Sequence, residues 1–79
     1  MSKEYPPLTY KDVTQILKNL GFILRDKKGT SHEQWVKETD KFYKVTVDYP
    51  KSPFTQDLIS YMARQAGVSK KEFYKALSK

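Results

Sequence analysis

The chemistry of this chain centres on Gly29-Thr30-Ser31-His32-Glu33-Gln34-Trp35, which holds its one histidine and its one tryptophan. Imidazole is the side chain whose ordinary pKa lies nearest neutrality, so it can accept or release a proton at working pH and act as a general acid or base. Around it stand groups suited to an anion. Lys27 and Lys28 precede Gly29, the hydroxyls of Thr30 and Ser31 can hydrogen-bond phosphate oxygens, and the N–H groups of a glycine turn can do the same. Lys37 and Lys44 are near enough, in sequence or across a strand pair, to add charge. A lone histidine at a strand end is also an ordinary surface residue, and lysines are commonly solvated. By themselves these residues leave a catalytic site and a plain polar surface both open.

Composition narrows the chemistry. The absence of cysteine removes disulfides, thiolate nucleophiles and the common zinc frameworks, and one histidine cannot form a His-rich metal site, so neither a metal nor a cofactor is expected. Fifteen Lys and Arg against nine Asp and Glu leave a formal charge of +6, which on so small a body favours a polyanionic partner such as RNA or DNA. With 38% hydrophobic and 30% charged residues, the chain is too apolar for a disordered tail and too polar for a membrane span. The opening Met1-Ser2-Lys3-Glu4-Tyr5-Pro6-Pro7 lacks the apolar run of a secretory signal, so the expected setting is the cytoplasm, with no membrane partner.

The elements that position His32 must belong to one domain, because 79 residues cannot divide their apolar side chains between two cores. That domain is expected over 1–79, with its core at about 8–77 and a flexible N-terminal segment at 1–7. Val13, Ile16, Leu17 and Leu20 recur at the spacing of one helical face; Thr9 is the expected N-cap, with Asp12 near the positive end, and Gly21 the stop. A short strand follows at 22–26, then a turn through Lys27-Lys28-Gly29. A second strand is expected at 32–37, where alternation sends Glu33 and Trp35 to one side and His32, Gln34 and Val36 to the other. After a turn at 38–41, the third strand sets Tyr43, Val45, Val47 and Tyr49 against Phe42, Lys44, Thr46 and Asp48, paired antiparallel with the second. Pro50 and Pro53 end the sheet region.

A second helix is expected from a Thr55 cap, with Leu58, Ile59, Met62, Ala63 and Ala66 as its apolar stripe and Gly67 as its stop. A short last helix begins at Ser69, where Ser69 and Glu72 form a capping box and Val68 and Phe73 have the spacing of a hydrophobic staple. The reading is a small α+β domain, α-β-β-β-α with an extra short C-terminal helix, its three-stranded antiparallel sheet covered by helices on one face. The expected core is Val13, Ile16, Leu17, Leu20, Phe22, Leu24, Trp35, Val45, Val47, Leu58, Ile59, Met62 and Phe73. Trp35 has the right chemistry to stack on a base, but packing places it in that core.

Four segments now stand in order: Thr9-Tyr10-Lys11-Asp12-Val13 through Leu17-Lys18-Asn19-Leu20-Gly21-Phe22; Gly29 to Trp35; Lys44-Val45-Thr46-Val47; and Leu58 through Gln65-Ala66-Gly67-Val68-Ser69. Together they resemble the HicA family of toxins, small proteins with the helix, three strands and helix of a double-stranded-RNA-binding domain. The chain departs from that pattern in three places. Thr30 separates Gly29 from Ser31-His32, where the family usually has glycine followed directly by serine and histidine. Glu33 stands where some members carry a second histidine, and Val47-Asp48-Tyr49-Pro50 stands where the family often has proline, an apolar residue and histidine.

The resemblance implies an endoribonuclease acting on messenger RNA without a metal, with His32 as general acid or base. It also implies that a HicB-type antitoxin protein covers the active face, while the residues themselves make Lys27, Lys28, Gly29, Thr30, Ser31, Lys37 and Lys44 the expected RNA contacts. A non-catalytic RNA-binding module on the same fold is the alternative, and a domain whose basic face meets an acidic protein is a third.

Overall fold

The structure, a computed structural model, describes residues 5–26 and 32–78. The first helix, α1, is Tyr10–Asn19. Its start is fixed by a reciprocal pair: the Asp12 N–H donates to Thr9 Oγ1 at 3.2 Å, and the Thr9 N–H donates to the Asp12 carboxylate at 3.1 Å. A further first-turn donor, the Tyr10 N–H, finds Ser52 Oγ at 2.9 Å. The helix ends where Gly21 takes a φ of +98°, and the N–H groups of Gly21 and Phe22 return to the carbonyls of Lys18 and Leu17.

Three strands follow, β1 at Ile23–Asp26, β2 at His32–Glu38 and β3 at Phe42–Asp48, all antiparallel in the order β1-β2-β3. The central strand is therefore the one that begins with His32. Pairing sets Trp35 opposite Val45 and Glu33 opposite Val47, and these four side chains are all buried on the inward face. Their sequence neighbours, His32, Gln34, Val36, Lys44, Thr46 and Asp48, take the other face, because successive side chains point to opposite sides of a strand. β3 is an edge, and one of its outward donors, the Thr46 N–H, is met by Gln65 Oε1 at 3.2 Å.

A 3₁₀ turn at Tyr49–Lys51 leads to α2, Gln56–Gln65, and then to α3, Lys70–Lys75, with a closing 3₁₀ turn at Ala76–Ser78. Thr55 and Ser69 are the N-caps, and Ser69 and Glu72 form the expected capping box. Helix residues Val13, Ile16, Leu17, Ile59, Met62, Ala63 and Phe73 join Trp35, Val45 and Val47 in one buried cluster, so the helices cover the inward face and leave the other open. The α2 stop is the tightest point. Gly67 has a φ of +79°, and a Cβ there would lie 2.6 Å from Cε1 of Tyr43.

One core assignment is corrected. Leu24 is 40% exposed, because β1 is a short edge strand whose pairing is interrupted by a bulge between Leu24 and Asp26. Leu20 and Leu58 are half-buried at the margin of the cluster. Leu8 and Phe54, which helix and strand periodicity did not single out, are buried together and joined by the Phe54 N–H to the Leu8 carbonyl at 2.8 Å. From Tyr5 onward the N-terminal segment is held against α3: the Tyr5 ring stacks on Tyr74 at 4.6 Å, and the Tyr74 hydroxyl donates to the Pro6 carbonyl at 2.5 Å. Among the described residues, no helix is long and apolar enough to cross a membrane.

Candidate active site

His32 is the first residue of β2 and projects from the open face, where its side chain is 57% exposed. Its position follows from parity. Trp35 must point inward to bury its indole, so a residue three places earlier points outward. Across the strand pair, His32 faces Asp48, the last residue of β3, with Nε2 3.5 Å from Oδ2. That separation suits an ion pair with the protonated ring and is long for a hydrogen bond. The Asp48 side chain is 27% exposed.

The open face continues down the sheet in ordered rows. Beside the His32 row, Thr46 Oγ1 donates to Gln34 Oε1 at 3.2 Å, a neutral pair. The next row sets Lys44 opposite Val36, with Ile23 of β1 on the far side of Val36. Lys44 is four residues from Asp48, roughly 14 Å at the usual rise of ~3.4 Å per residue. Phe42, 56% exposed, and Glu38 form the last row. The face thus carries an imidazole at one end, a lysine in its middle and exposed apolar side chains beside that lysine.

Directly behind His32, on the inward side, Glu33 is 2% exposed. A buried carboxylate is costly unless hydrogen bonds meet its oxygens. Here the Tyr10 hydroxyl donates to Oε2 at 2.6 Å and the Trp35 indole N–H donates to Oε1 at 3.0 Å. The arrangement ties the start of α1 to the start of β2, and so anchors the backbone that carries the imidazole. Sequence alternation placed Glu33 beside Trp35 but assigned it no part. The available signal was a carboxylate on the apolar side of a strand, which must find donors.

The other expected site residues divide cleanly. Lys27, Lys28, Gly29, Thr30 and Ser31 lie outside the described residues. Lys44 shares the face of His32. Lys37 does not: five places along the strand from His32 it has the opposite parity, and its Nζ lies 5.7 Å from the centre of the Phe22 ring, with its stem alongside Gly21. Asp48 was not singled out as a site residue. Among the described residues, no group of three or more His, Cys, Asp or Glu side chains is placed to hold a metal ion.

Comparison with known families adds an independent finding. Residues 10–68 match the family model described as the HicA toxin of bacterial toxin-antitoxin, a span that runs from the first residue of α1 to the end of the turn after α2 and includes His32 and Asp48. No curated protein and no solved structure matches significantly.

Proposed function

Since the chain belongs to the HicA toxin family of bacterial toxin–antitoxin proteins, we propose that it is an endoribonuclease that cuts messenger RNA in the cytoplasm, with His32 making one of the proton transfers. In such a cleavage a base removes the proton of the ribose 2′-hydroxyl and the 2′-oxygen forms a bond to the adjacent phosphorus. The bond from phosphorus to the 5′-oxygen then breaks, and that oxygen takes a proton from an acid. None of these steps needs a metal. An imidazole serves either as the base or as the acid, and positive charge offsets what gathers on the phosphate.

The observation that carries this reading is the placement of His32: an exposed imidazole on the helix-free face of the sheet, inside the segment that matches the family. Lys44 lies on the same face and supplies charge to the RNA backbone. Lys27, Lys28, Gly29, Thr30 and Ser31 immediately precede His32 in sequence and complete the proposed phosphate contacts. Lys37, turned to the other face against Phe22, has a packing part instead. A toxin of this family implies an antitoxin. We assign that part to a HicB-type protein that covers the open face, where Ile23 and Phe42 are 66% and 56% exposed.

The test is induction of the wild type and the His32→Ala variant in cells, followed by examination of growth and total RNA, with purified protein assayed on a labelled RNA. Growth arrest and RNA decay should be confined to the wild type, while the variant still binds RNA. Undiminished cutting by His32→Ala would remove the imidazole from the reaction. RNA binding by the wild type without cleavage would leave a non-catalytic RNA-binding module.

A further inference from the structure

We infer that Asp48 is a positioning residue for His32: its carboxylate holds the imidazole at the end of the open face and offsets the positive charge that the ring acquires when it takes a proton. The inference rests on the proposed role of His32 and concerns how that role is prepared. The two residues are direct cross-strand partners, with Nε2 and Oδ2 3.5 Å apart. Directly opposite residues have Cβ atoms only about 5 Å apart, so the sheet register is what brings the two side chains within reach. A contraction of about 0.6–0.8 Å makes a charge-assisted hydrogen bond, and contacts of this kind often tighten only when substrate is bound.

The surroundings sharpen the argument. The next row along the face pairs Gln34 with Thr46 and sets Asp26 of β1 in register on the other side of Gln34, while Lys44 and Glu38 lie two and three rows from His32. Asp48 is the charged residue that the register pairs directly with His32. A carboxylate on a surface that grips a polyanion opposes binding, since like charges repel. Its placement against the imidazole makes sense as support for the ring rather than as a contact to RNA. The two roles differ in sign. A residue that orients His32 should speed cleavage and weaken RNA binding, whereas one that contacts RNA should strengthen both.

Asp48→Asn separates them, with Asp48→Glu as the conservative rescue and Asp48→Ser as a second neutral variant in case the first is unstable; melting curves establish that each folds. Single-turnover cleavage at saturating RNA should fall about 10-fold in Asp48→Asn, less than the roughly 10²–10⁴-fold that a positioned acid–base group itself contributes because Asp48 acts only through the ring, and recover substantially in Asp48→Glu. RNA affinity, measured in the His32→Ala background so that the RNA stays intact, should be unchanged or tighter when Asp48→Asn is added. Cleavage at the wild-type rate in both neutral variants would overturn the inference, as would a loss of affinity matching the loss of rate. If His32→Ala itself cuts normally, the failure belongs to the proposed function and not to Asp48.

Discussion

Replacing Glu33 tests the link between the buried side of β2 and the site it carries. Glu33→Ala removes the acceptor of two donors, the Trp35 indole N–H at 3.0 Å and the Tyr10 hydroxyl at 2.6 Å. Trp35 is only 4% exposed, so its N–H is left without water, at about 1–3 kcal/mol for a buried unsatisfied donor. Tyr10 is half-buried and recovers part of its bond from solvent, leaving roughly 1 kcal/mol lost there. The sum is about 2–4 kcal/mol, against a total stability that for a small domain is on the order of 5 kcal/mol or somewhat more. Glu33→Gln should cost much less, about 1 kcal/mol, because its carbonyl still accepts from Trp35 and its amide can donate to the Tyr10 oxygen, while the cost of burying a charge disappears.

Urea unfolding followed by Trp35 fluorescence reads both variants, with the chain's one tryptophan as the probe. At a typical slope of about 1 kcal/mol per molar urea, the midpoint should drop by roughly 1 M for Glu33→Gln and by 2 M or more for Glu33→Ala. Tyr10→Phe combined with Glu33→Ala should be less destabilising than the sum of the two single changes, since each by itself removes the Tyr10–Glu33 hydrogen bond. A Glu33→Ala protein as stable as the wild type would refute the reasoning. So would a Glu33→Gln protein less stable than Glu33→Ala.

Two further outcomes follow from the same geometry. Gly67→Ala must accept a left-handed backbone and push its methyl against the Tyr43 ring, so thermal or urea unfolding should show a loss of about 2–4 kcal/mol. In RNA-binding titrations over a range of salt, Lys44→Ala should weaken affinity and reduce the salt slope by about one unit, whereas Lys37→Ala, on the opposite face, should leave the slope unchanged and lower stability slightly. A Lys37→Ala protein with the smaller salt slope would show that parity does not separate the two lysines.

Much of the architecture is written in the chain in local form. The caps at Thr9, Thr55 and Ser69 and the stops at Gly21 and Gly67 involve residues only a few positions apart, and all stand where residue type and spacing put them. Strand alternation likewise decides which side each residue takes: it sends Trp35 inward, and His32 outward as a consequence, and the odd–even count alone separates Lys37 from Lys44. Alternation even restricts the β2–β3 register, because Trp35 and Val45 must share a face.

What a single strand cannot settle is which outward residue faces which. Asp48 meets His32 because the 39–41 connection sets the pairing so that these two positions coincide; a shift of two residues would keep every apolar side chain inward and give His32 another neighbour. The donors of Glu33, the partnership of Leu8 with Phe54 and the exposure of Leu24 are of the same kind. Each depends on how separate elements are brought together, by loop lengths, a bulge and the docking of helices on one face of the sheet. Periodicity is a property of one element and determines faces; contacts are properties of pairs of elements, and only the assembled tertiary structure decides them.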